Sequence, residues 1–212
     1  MNDIHEFIPL IKDIALTVAA IITSYLGFKG LGTWQRQLKG NTEYDLAKRL
    51  LRIIYELREA IAYVRLPFIQ YLLEPDLPEE KREGLSQREK EWHAMAQAYE
   101  KKWEHISKAQ TALQNISFEV EVIWGGEVEE KLVSLMKLVI ELSFAIQENL
   151  EARRPNLDSK KFDAEENKRT NEIMLARSPA EAEKDEYKKR LVAVISSIEE
   201  ELKPHIRQYY YY

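Results

Sequence analysis

The sequence predicts an all-α protein, with an N-terminal transmembrane helix followed by an antiparallel four-helix bundle on the cytoplasmic side. Three observations carry that expectation. Seven glycines and seven prolines are all that interrupt a 212-residue chain rich in Leu, Ile, Ala, Glu and Lys, a composition that favours helices over short strands and turns. An apolar stretch running from about Phe7 to Phe28 has the length needed to cross a hydrocarbon core of roughly 30 Å. Four later segments repeat apolar residues at intervals of three and four, the period of a helix with one buried face.

Within the first stretch, Ile14 to Phe28 is uncharged, and the extension back to Phe7 admits only Lys12 and Asp13. Lys12 would have to snorkel toward the outer interface. A secretory signal peptide fits poorly, because Asp3 and Glu6 make the leading segment acidic and no small-residue cleavage pattern follows. Residues 29 to 40 hold Lys29, Arg36 and Lys39 without an acid, whereas residues 1 to 6 hold no Lys or Arg. The positive-inside rule then places the C-terminal side in the cytoplasm, at the inner (cytoplasmic) membrane, with Tyr25 and Trp34 as interfacial aromatics. Ala15, Ala19, Thr23 and Gly27 recur every four residues, a small-residue stripe that would let two anchors approach and form a homo-oligomer. The expected domains are an anchor over residues 1–30, a juxtamembrane connector over 31–41, a helical bundle over 42–206 and a Tyr-rich tail over 207–212.

Gly27, Gly30, Gly32 and Gly40 punctuate the exit from the anchor, and Thr42 with Asp45 approximates a capping box for the first bundle helix. Leu46, Leu50, Ile53, Ile54, Leu57, Ile61 and Val64 form its core stripe, and Pro67 kinks or ends it. The polar stretch Glu74 to Gly84 reads as a loop. Ser86 and Glu89 make a fuller S-x-x-E capping box, which opens a long helix through Trp92, Tyr99, Ile106, Leu113 and Val120 to a break at Gly125 and Gly126. The third helix carries Val128, Leu132, Leu135, Met136, Val139, Ile140, Leu142, Ile146 and Leu150 before Arg154 and Pro155 end it. Residues 155–177 read as a polar linker with at most a short helix near Glu165 to Ala176. Ser178, Pro179 and Glu181 stand in register as cap, first-turn proline and third-position acid of a last helix, which Pro204 would end.

Chemistry is sparsely signalled. With no cysteine, disulfides and Cys-based zinc sites are excluded. The four histidines lack H-E-x-x-H or E-x-x-H spacing, so no metal is expected, and no glycine-rich phosphate loop or nucleophile elbow occurs, so no cofactor is expected either. A net charge of −5 gives no basic field for nucleic acid. Arg88 and His93 form R-x4-H on a helix, which resembles the RNase motif of HEPN domains; in a chain with this many arginines such a match arises by chance about as often as not.

Counting helix directions brings the turn at Trp124 and the tail from His205 to Tyr212 to the anchor's end of the bundle. There Trp124, Tyr209 and Tyr210, with Lys29, Trp34, Arg36 and Lys39, would meet the headgroup zone. The loop at Glu74 to Gly84 and the linker 155–177 would lie at the far end, open to a protein partner. The run GLGTWQRQLKGNTEYDLAKRLLRIIYELREAIAYVRLPF, Gly30 to Phe68, resembles a pattern in uncharacterised bacterial single-pass membrane-anchored helical proteins: a short span, a W-x-x-Q-L-x-G entry and a basic, Leu-rich helix. That resemblance implies topology and no activity. The expected function is a membrane-tethered, non-enzymatic scaffold or sensor that self-associates and contacts membrane lipid. The alternatives are a membrane-permeabilising effector of a bacterial anti-phage system, whose assembly Lys12, Thr17, Thr23 and Ser24 would line, and a HEPN-like RNase.

Overall fold

A single helix, α1, runs from Asp3 to Arg65 without a break. The computed structural model describes residues 3–67, 75–155 and 164–207, with side-chain detail from Leu16 onward except at 32, 33, 35–37, 164, 179 and 207. Anchor, connector and first bundle helix are therefore one element. The glycines at 27, 30 and 40 do not interrupt it: an isolated helical glycine costs about 1 kcal/mol, and no proline stands between Pro9 and Pro67 to force an end. Thr42 does not cap a new helix; its hydroxyl donates to the Leu38 carbonyl one turn back, 3.0 Å away.

The transmembrane part of the expected fold is overturned. Among the described residues no helix is long and apolar enough to cross a membrane. The uncharged run with described side chains, Leu16 to Phe28, stops at Lys29 and extends only about 20 Å at the helical rise, short of a hydrocarbon core.

The all-α class holds. After α1 come α2 (Glu79–Arg82), α3 (Gln87–Trp124), α4 (Gly126–Ala152), α5 (Ala164–Met174), a 3-10 turn (Pro179–Lys184) and α6 (Glu186–Arg207). Cross-helix bonds give the directions. Arg49 reaches Glu119 while Lys102 reaches the Leu66 carbonyl, so α1 and α3 are antiparallel. Trp92 donates to the Leu150 carbonyl across a turn at Gly125, which sets α3 against α4. Lys131 bonds Glu201, and Arg190 bonds Glu141, which sets α4 against α6. His205 meets Glu43, and Arg65 meets Asp185, closing the ring between α6 and α1. The stripe Leu46, Leu50, Ile54, Leu57 and Ile61 is fully buried against Ile106, Leu135, Leu142, Ile198 and Leu202.

The helix ends follow local chemistry. Ser86 and Glu89 form a reciprocal capping box at α3, in which the Ser86 amide donates to the Glu89 carboxylate at 2.7 Å. Gly125 takes φ 71°, a left-handed value suited to glycine, and so turns α3 into α4. The last helix starts later than Ser178 and Pro179 imply. Those residues open the 3-10 turn, and Asp185 caps α6 by accepting from the Lys188 amide at 2.9 Å. Pro204 lies inside α6 instead of ending it.

Candidate functional site

Only the C-terminal part of α1 belongs to the bundle. Burial starts at Leu46, and every described side chain from Leu16 to Thr42 is exposed. The N-terminal part is thus an arm that carries Leu16, Ile21, Ile22, Tyr25, Leu26 and Phe28 into solvent. Its next segment, over 29–40, adds exposed Leu31, Trp34 and Leu38 among the basic residues. An arm of this kind is the opposite of an ordinary surface helix, which keeps its large apolar residues on one inward stripe.

The small-residue stripe lies on this arm. Ala19, Thr23 and Gly27 are exposed, and the Thr23 hydroxyl is turned back onto the Ala19 carbonyl at 2.8 Å. The Ala15 side chain lies outside the described residues. Lys29, Trp34 and Lys39 are exposed along the same arm, with Lys39 3.7 Å from Glu43; the Arg36 side chain is not among those described.

At the arm's root three elements meet. His205 Nδ1 is 3.0 Å from Glu43, and its ring lies 5.3 Å from that of Trp124. Trp124 therefore packs inward and half-buried, with its Nε1 buried and without a hydrogen-bond partner among the described residues. Tyr209 and Tyr210 lie outside the described residues. The acids Glu119, Glu121, Glu127, Glu129 and Glu130 surround the α3–α4 turn at this end.

The far end holds the most buried polar group. Arg65 donates to the carbonyls of Ile173, Glu172 and Leu175 and forks onto Asp185, and its guanidinium lies 4.6 Å from the Tyr187 ring centre. Burial pushes the Asp185 carboxyl up, but hydrogen bonds from Arg65 and from the Lys188 and Arg177 amides, with the Arg65 charge, hold it below the usual carboxylate range. This assembly ties the segment after α5 to the end of α1, as does the Ala176 amide donating to the Arg65 carbonyl at 2.9 Å. Nearby, Lys102 donates to the Leu66 carbonyl at 2.9 Å, and its burial lowers the pKa of the amine.

Arg88 is exposed in the first turn of α3, and the His93 ring stands edge-on to Trp92 with centres 5.0 Å apart. Among the described residues no group of three or more His, Asp or Glu is placed to hold a metal. An open groove of about 980 Å³ along α1 and α3 is lined by Lys48, Arg52, Tyr55, Glu56, Glu59 and His105, a mixed-charge surface.

Sequence reasoning missed Arg65, Asp185, Phe118 and Val122. The last two carried a readable signal: they fall out of phase with the buried positions Ile116 and Val120, and so had to face outward. No protein-family model, curated protein or solved structure matches this chain.

Proposed function

We propose that this chain is a helical interaction protein, a scaffold without chemistry of its own, that self-associates through the projecting arm of α1. One observation carries the reading. The arm holds a run of large apolar side chains that the bundle leaves uncovered. Covering each of them is worth about 1.5–3 kcal/mol, so three or four together approach the association entropy that a complex must overcome. The bundle, closed by its own core and by the Arg65–Asp185 pair, supplies the rigid base.

Sedimentation velocity on the full chain tests this, comparing the natural sequence with Ile22→Asp combined with Leu26→Asp. The reading expects association that the double substitution abolishes while helicity is retained. An association state that the substitution leaves unchanged overturns it.

A lipid surface as the arm's partner is a second reading. It is favoured by the lack of any charged residue on any side of the helix from Leu16 to Phe28. Flotation with phosphatidylcholine vesicles separates the two: protein that floats in proportion to lipid supports the lipid reading, and protein that associates but stays with the aqueous fraction removes it.

A further inference from the structure

We propose that the arm of one copy docks along the outer seam between α3 and α4 of a second copy; this rests on the self-association reading and names its surface. The two helices that flank the seam carry apolar side chains that their own chain leaves open. Phe118 is 73% exposed and Val122 68% exposed on α3, and Val133, Ile140 and Phe144 are exposed on α4. Further from the turn, a furrow of about 560 Å³ between the same two helices is floored by Tyr99, Trp103, Ile146 and Leu150.

Charge identifies the occupant. Residues 119–130, around the α3–α4 turn, contain five glutamates and no basic residue, and among the described residues Glu119 is engaged across the bundle by Arg49. Residues 29–40 of the arm contain three basic residues and no acid. An acidic corner beside Phe118 and Val122 thus complements a basic segment that also bears Leu31, Trp34 and Leu38.

Length agrees with charge. Glu43, at the arm's root, lies level with the turn through the Glu43–His205–Trp124 contacts. At about 1.5 Å per residue, Trp34 lies roughly 14 Å from Glu43, and Val133 roughly 11 Å from Gly126. By the same rise Tyr25 and Phe144 each lie about 27 Å from their references. Arg36 and Lys39, roughly 11 and 6 Å from Glu43 by the same rise, then come level with the acidic corner, while the apolar arm comes level with Ile140, Phe144 and the furrow. Each copy presents both surfaces at one end, so a two-fold axis makes the contact twice and closes a dimer.

The chain has no cysteine, so cross-linking reads the contact directly. Full chains carrying Trp34→Cys and Phe118→Cys are mixed and treated with a short bismaleimide. The expected product is a cross-link between the two variants, in excess of either homodimer. Arg36→Glu with Lys39→Glu should weaken dimerisation at least fivefold, and mixing that variant with Glu121→Lys, Glu129→Lys chains should restore it. A chain that sediments as a dimer but cross-links only Trp34 to Trp34, or not at all, overturns the seam and leaves self-association standing. A chain that stays monomeric at every concentration overturns both.

Discussion

The Arg65 guanidinium grips the Asp185 carboxylate through two hydrogen bonds, of 2.9 and 3.1 Å, with both side chains almost wholly shielded from water. Each residue has a second duty. Arg65 holds three backbone carbonyls near the end of α5, and Asp185 caps α6. The pair thereby joins the end of α1, the end of α5 and the start of α6 at the pole opposite the arm.

Asp185→Asn should destabilise the bundle by about 3–5 kcal/mol, because it strands a buried guanidinium and leaves that charge uncompensated. Urea denaturation followed by circular dichroism measures this. Arg65→Met, which replaces the charge with an apolar side chain while leaving Asp185 buried, should also lose stability. A loss below about 1 kcal/mol in both variants would reduce the pair to the weight of a surface contact.

The same carboxyl predicts a pH dependence. Its folded pKa lies below its ordinary value, so the stability that it contributes is fully present above an unfolded pKa of about 3.9. That contribution is lost as pH falls through the folded value. Between pH 6 and pH 3 the urea midpoint of the natural chain should fall further than that of Asp185→Asn. Parallel decline would contradict the linkage.

Gly125 and Gly126 should respond in opposite ways to alanine. At φ 71° and ψ −160°, Gly125 occupies a region almost closed to other residues, and Gly125→Ala should cost about 1–3 kcal/mol. Gly126 begins α4 and a Cβ there meets nothing within 4 Å. Gly126→Ala should be neutral or stabilise by up to about 1 kcal/mol. Thermal melts of the two variants give the comparison.

The purified chain should show no ribonuclease activity that depends on Arg88 or His93. Arg88 lies in solvent, and His93 leans on Trp92. His93→Ala should change stability by less than about 1 kcal/mol, the scale of a partly buried aromatic contact. Cleavage of a single-stranded RNA that disappears in His93→Ala would contradict this.

What could be read from the sequence was what short-range chemistry decides. The Ser86 and Glu89 capping box, the Gly125 turn and the stripe through Leu46, Leu50 and Ile54 each depend on residues within a turn or two of one another. What escaped was decided at longer range or by competition. Four glycines suggested an end to the first helix, yet with no proline among them the chain could remain helical and Thr42 bonded back to Leu38. Ser178 and Pro179 carried a helix-start signal that the structure uses for a 3-10 turn, because Asp185 is held in the capping position by Arg65 from 120 residues away. No local pattern marks Arg65, and only tertiary packing reveals its five acceptor contacts.

The central claim is that residues 16–42 form a helix waiting to be covered by a partner, and amide hydrogen exchange on the full chain tests it most directly. In dilute solution the arm's amides should exchange much faster than those of residues 46–64, since every described side chain of the arm is exposed. As protein concentration rises through the association range, protection should increase over residues 16–42, while the bundle core stays as it was. Arm exchange that is the same at every concentration, with or without phosphatidylcholine vesicles, would contradict the account.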